Sequence, residues 1–140
     1  MMWQLGNLLF LLFHTGSDLR ERKIYQLPCF LYMLCAFVLH GLLEGKRGLI
    51  FSAAGSLAGM LLFAAARLSH QAIGYGDCLI LTACGSMAGV QEALMLLFIA
   101  LLGASVWAVV LLLFRKAGGK DRFPFVPFLL AAQILLLKGW

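Results

Sequence analysis

The sequence predicts an all-α membrane protein, a polytopic bundle of about six transmembrane helices forming one domain over residues 1–140. Three observations lead there. Hydrophobic residues make up 63% of the chain and charged ones 12%, less than half of the roughly 25% usual in a soluble domain. The few charges gather in short clusters that separate long apolar runs. Those runs show none of the alternation that marks a barrel, and an open strand would leave its backbone groups unsatisfied in hydrocarbon. Helix is what remains.

The first apolar run covers about residues 2–16, with Trp3 suited to the interface. No basic residue precedes it and no small-x-small cleavage site follows, so it reads as a retained span and not a signal peptide. SDLRERK (17–23) separates it from a second run, about 26–43, which ends at EGKRG (44–48). The third run, about 49–66, carries Ser52, Ala53, Ala54, Gly55, Ser56, Ala58 and Gly59, small side chains that let helices approach closely in lipid. RLSHQAIGYGD (67–77) then forms the longest polar or glycine-containing link. The fourth run, about 78–90, is short and breaks at GVQE (89–92), so a five-span arrangement with this run re-entrant is the alternative. The fifth, about 93–114, is the longest and cleanest. After RKAGGKDR (115–122), FPFVPF (123–128) opens a last run that ends at Lys138 and Trp140. Runs one and four are shorter than a usual span and need tilt, local thinning or extension into their flanks.

The net charge of +5 does not point to nucleic acid, because no basic stripe is interleaved with aromatics. Orientation in the membrane explains it. If the links after runs one, three and five share a side, that side holds Arg20, Arg22, Lys23, Arg67, Arg115, Lys116, Lys120 and Arg122. The other holds Lys46, Arg47 and Lys138. The positive-inside rule then puts the N-terminus outside and the basic side in the cytoplasm of a cytoplasmic (inner) membrane, where anionic lipid headgroups attract it. Cys29, Cys35, Cys78 and Cys84 have no CxxC spacing and lie in or at the ends of apolar runs. They read as packing residues, and neither a metal nor a cofactor is expected.

Two of the six acidic residues, Asp18 and Asp77, stand where an apolar run meets polar residues. A carboxylate near hydrocarbon costs at least about 2.5–3.5 kcal/mol, so one retained there marks a functional site by default. The charge asymmetry puts both at the cytoplasmic edge, with a helical hairpin between them, so the two can meet. Two close carboxyls split their apparent pKa values. One then accepts a proton from water while the other polarises a carbonyl, which is the chemistry of an aspartyl protease. Gly74 and Gly76 flank Tyr75 just ahead of Asp77, where glycine permits a tight turn and close approach of a substrate strand.

With these residues in place, the chain resembles the type IV prepilin peptidases, polytopic membrane aspartyl proteases with a GxGD motif. Three segments match in order: DLRERKIYQLP (18–28), GYGDCLILTACG (74–85) and FPFVPFLLAA (123–132). The resemblance implies removal of the leader peptide from prepilin-like precursors on the cytoplasmic side, with Asp18 and Asp77 as the catalytic pair. It also implies that Gly74, Gly76, Pro124, Phe125 and Pro127 shape the site or hold the substrate. The two late prolines equally suit the start of a helix. The chain departs from the pattern in two places. Leu79 stands where relatives often carry lysine, and Tyr25, Gln26 and Leu27 delay the proline of the first motif. It also lacks the N-terminal segment with two CxxC pairs that large family members use for N-methylation, which implies a peptidase-only short form.

Other readings stand beside this one. The two aspartates also suit solvated loop carboxylates paired with Arg20 or Arg67. His14, one turn before Asp18, suits either a hydrogen bond to it or polar packing. His40 and His70 have no carboxylate neighbour, Glu44 and Glu92 read as solvated, and Asp121 in GGKDR reads as a wet loop. A related peptidase of preflagellin-type precursors is the nearest alternative function. A small proton-coupled transporter is a more distant one, since no chain of acids crosses the bilayer and no internal repeat is evident. The sequence carries no signal for an oligomeric state.

Overall fold

The computed structural model describes residues 2–21, 25–68, 74–114 and 125–139. These form six α-helices and no strand: α1 (Met2–Glu21), α2 (Gln26–Glu44), α3 (Lys46–Leu68), α4 (Tyr75–Ala88), α5 (Val90–Leu113) and α6 (Val126–Gly139). Helices α2, α3 and α5 are long and apolar enough to cross a membrane, and α6 is a shorter apolar helix. Large apolar side chains such as Leu31, Leu34, Leu61, Phe98 and Val106 are exposed on the outside. Such a coat of exposed hydrocarbon belongs in lipid. This is an all-α membrane protein.

The bundle is organised around α4, which packs on α1, α2, α3 and α5, while α6 lies against α1 and α5. Cys78 and every residue from Ile80 to Met87 are buried. At 14 residues α4 is only about 21 Å long. Wrapped in other helices, it meets protein instead of hydrocarbon and need not match the bilayer thickness. The fourth run is one continuous helix as far as Ala88, after which Gly89 breaks it and Val90 opens α5. Three of the four cysteines, Cys29, Cys78 and Cys84, are buried and all four are free, as packing residues should be.

The small residues of α3 set the closeness of this packing. A Cβ at Gly59 would come within 2.6 Å of the Thr82 backbone nitrogen, and one at Gly55 within 2.6 Å of the Gly85 carbonyl carbon. Both of these atoms are backbone, so any larger residue would have to push the helices apart. The antiparallel sense of α3 and α4 follows from the pairing, since Gly55 meets Gly85 and Gly59 meets Thr82.

Two connections are shorter than the polar clusters suggest. EGKRG and GVQE contract to single residues between helices, Gly45 at φ 62° and Gly89 at φ 92°, both in the region that favours glycine. Lys46 and Arg47 thereby join the first turn of α3, and Gln91 and Glu92 that of α5. At the opposite end α1 does not stop with its apolar run at residue 16. It continues helical through Asp18 to Glu21, with Ser17 Oγ donating back to the Phe13 carbonyl at 3.3 Å. Asp121, His70 and Pro124 lie outside the described residues.

Candidate active site

Asp18 occupies the last turn of α1, on the face turned into the bundle, and is 8% exposed. Asp77 occupies the first turn of α4, one residue ahead of the apolar run, and is half-buried. The antiparallel packing of α1 on α4 brings the two carboxyls to the same end of the bundle. Their nearness has an electrostatic consequence. Burial first, and the charge of Asp18 second, push the Asp77 carboxyl up to about 7. Both causes act in one direction, because each disfavours a second negative charge in a poorly hydrated place.

The way α1 holds Asp18 was not foreseen from the sequence. Its buried residues include Gln4, Asn7, Leu11, His14 and Asp18, spaced three or four apart and so on one face. Met2, Leu5, Leu9, Leu12, Phe13 and Leu19 point outward and are exposed. The helix carries a polar stripe on its inner face and apolar residues outside, and the inward polar groups reach α5, α4 and α2. Gln4 Nε2 donates to Glu92 Oε1 of α5 at 2.6 Å. Asn7 Nδ2 donates to the Cys84 carbonyl of α4 at 3.2 Å, and Asn7 Oδ1 accepts from Tyr32 of α2 at 2.7 Å. Hydrogen bonds of this kind between membrane helices average about 0.6 kcal/mol and reach about 1.7. Each is small, but together they fix both rotation and register. The sequence signal was present, as residues 4, 7, 14 and 18 share a helical face. Reading each residue singly hid it.

His14 follows the polar-packing reading, and Glu92 differs from expectation. The His14 ring is fully buried, with Nδ1 at 3.0 Å from the Phe10 carbonyl and Nε2 at 3.5 Å from Cys29 Sγ. A carbonyl only accepts, so Nδ1 carries the proton, and Cys29 Sγ lies 3.5 Å both from Nε2 and from the Tyr25 carbonyl, to which the thiol donates. The ring also packs on Phe10, with centroids 4.3 Å apart. Polar packing is the role the geometry gives it. Glu92 is half-buried and bonded to Gln4, because the connection it was assigned to is a single glycine and leaves it on a packed helix. His40 pairs with Ser52, Nδ1 to Oγ 2.6 Å, beside Trp3, far from the aspartates.

Gly74 is the residue before α4, exposed, at φ −65° and ψ 134°, a conformation open to any residue. Its value is space, since a Cβ there would stand 3.0 Å from Asp77 Oδ2. Gly76 is half-buried inside α4 and makes no turn. The tight-turn explanation of the motif thus gives way to one of close approach, because the chain is already helical from Tyr75. Phe125 precedes α6 and packs on the hydrophobic core, and Pro127 is the second residue of that helix, where a missing N–H costs nothing. Helix α6 touches α1, which carries Asp18, and not α4 to any comparable extent. Leu79 is half-buried and packs on the same core, which suits the leucine this chain carries.

The profile of the type IV leader peptidase family matches residues 5–119. The chain belongs to the type IV leader peptidase family. The matched span takes in Asp18, Gly74, Gly76 and Asp77 as well as Asn7 and His14, and stops short of Phe125 and Pro127. Comparison with curated proteins and with solved structures found no match. A peptidase needs both water and a peptide at its site. Within the described residues, Asp18 and Asp77 share one end of the bundle.

Proposed function

We propose that this leader peptidase is an aspartyl endopeptidase that removes the leader from prepilin-like precursors at the cytoplasmic face of the membrane, with Asp18 and Asp77 as its catalytic pair. The observation that carries this reading is the placement of Asp18, in the last turn of α1, and Asp77, in the first turn of α4, at one end of the bundle, where the charge of Asp18 adds to burial in raising the Asp77 carboxyl. Below about pH 7 the Asp77 carboxyl holds its proton, and Asp18 takes the role of the ionised partner. Asp18 then draws a proton from a water molecule as its oxygen attacks the scissile carbonyl. Asp77 donates its hydrogen bond to the carbonyl oxygen, where negative charge develops. Collapse of the tetrahedral intermediate expels the amine, which takes a proton from the pair, so the pair ends with the single proton it began with. Glycine at position 74 leaves room for the peptide to lie along the Asp77 carboxyl.

Prepilin-like and preflagellin-type substrates call for the same chemistry at the same edge, and the family resemblance of the three sequence segments favours the first. The deciding experiment is co-expression with pilin-like and preflagellin-like precursors, scored by mass for leader removal. Cleavage of the pilin-like precursor, lost in both Asp18→Asn and Asp77→Asn, is the expected result. Cleavage of neither precursor by the intact chain overturns the proposal.

A further inference from the structure

The catalytic proposal requires Asp18 to arrive level with Asp77, and α1 has only side-chain contacts with which to set its height against α4. Asn7 bonds two other helices at once, through Nδ2 to the Cys84 carbonyl and through Oδ1 to the Tyr32 hydroxyl. It is 1% exposed. Tyr32 is in turn held by a stacked contact with Phe10, with centroids 4.2 Å apart and an interplanar angle of 15°. Neither the donor nor the acceptor of the Asn7 amide is free to slide.

The spacing connects this point to the aspartates. Asn7 lies eleven residues before Asp18, about 16 Å of helix, and Cys84 lies seven residues after Asp77, about 10 Å. In antiparallel helices pinned at Asn7 and Cys84, the two aspartate backbones therefore differ in height by about 6 Å. Side-chain direction narrows the difference. Each Cα–Cβ bond tilts toward its own N-terminus, so Asp18 leans back into the bundle while Asp77 leans out toward its edge. A shift of α1 by one residue, about 1.5 Å, is enough to spoil the geometry of a water held between two carboxyls.

We propose that Asn7 is a positioning residue of this peptidase: its paired bonds to the Cys84 carbonyl and the Tyr32 hydroxyl set the register of α1 on α4 that places Asp18 opposite Asp77. This rests on the proposed catalytic pair, and the test separates the two. In the first arm, Asn7→Leu and Asn7→Ser are compared with the unaltered chain on a prepilin-like substrate. A lost register lowers kcat about tenfold in both variants and changes KM less than twofold. In the second arm, the full-length chain carrying Cys35→Ser, Asp18→Cys and Asp77→Cys is treated in detergent with a short bifunctional thiol reagent. Chains with one of the two aspartate substitutions report any cross-link to Cys78. Adding Asn7→Leu or Asn7→Ser should slow formation of the 18–77 cross-link at least about threefold while elution as a folded species is retained. If Asn7→Leu does not fold, Asn7→Ser, which is too short to reach Cys84 but remains polar, decides alone. An unchanged cross-linking rate, or a rise in KM at constant kcat, overturns the inference. An Asn7-dependent cross-link in a chain that cleaves no leader keeps the inference and overturns the catalytic reading instead.

Discussion

Gly74 faces the carboxyl of Asp77 across a gap that a methyl group would narrow to 3.0 Å. This contact is tighter than ordinary van der Waals packing, and the atom it meets is one the proposed mechanism uses. Gly74→Ala is expected to lower kcat a few-fold and Gly74→Val at least about tenfold, because the branched side chain must displace the carboxyl or block the peptide. Initial cleavage rates at matched expression measure this. Normal cleavage by the valine variant would remove Gly74 from the site.

Asp18→Asn and Asp77→Asn are each expected to abolish leader cleavage while the chain inserts and folds. Removing one member of a catalytic pair typically costs several orders of magnitude in kcat, and the two losses should not add. The double variant therefore ought to be no worse than either single one. Turnover near that of the unaltered chain in either variant refutes the pair.

The pH dependence has a definite sign. Asp77 must be protonated to polarise the carbonyl, so kcat/KM should fall as pH rises through about 7. Asp18→Asn removes the like charge but not the burial, which is the larger cause, so it should bring the Asp77 value down only part of the way. Carbodiimide modification, which needs the protonated carboxyl, reads this directly at Asp77. A cleavage profile flat from pH 6 to pH 9 would contradict the assignment.

Close helix packing predicts a sharp contrast among glycines. Gly59→Val forces α3 off the backbone of Thr82 and should destabilise the bundle by about 3 kcal/mol or more. Gly16→Ala meets nothing within 4 Å and should leave the fold intact or stabilise it by up to about 1 kcal/mol. Thermal unfolding in one detergent compares the two.

Topology is testable from outside the cell. In a chain with its native cysteines replaced, Gln91→Cys should react with a membrane-impermeant thiol reagent on intact cells and Lys120→Cys should not. The expectation follows from eight Lys and Arg on one side against three on the other. The reverse pattern would put the aspartates on the wrong face for a cytoplasmic leader.

The sequence disclosed the helices because hydrocarbon thickness imposes a length on apolar runs, and Gly, Pro and charge clusters mark where each run ends. It disclosed Asp18 and Asp77 because acids are rare in such a chain. It hid the continuation of α1 from Ser17 to Glu21, since hydropathy drops at the membrane edge while the backbone hydrogen-bond ladder does not. It hid the contraction of the EGKRG and GVQE connections because charged residues in the first turn of a helix look, by composition, like a loop. The partners of Gln4, Asn7 and His14 lie 88, 77 and 15 residues away, and only the fold reveals which they are.

The single-glycine joints at Gly45 and Gly89 bear on how the chain enters the bilayer. Helices α2 and α3, and likewise α4 and α5, are hairpins with almost no peptide between their arms. In the orientation expected from the charge asymmetry, each pair can be inserted as a unit, since little beyond Glu44, Lys46 and Arg47 in one hairpin and Gln91 and Glu92 in the other has to cross the hydrocarbon. Biogenesis then has few polar groups to translocate at that end. Length and polarity are concentrated in the connections on the face where the aspartates lie, so that face is where foreign sequence can be added with least disturbance to insertion.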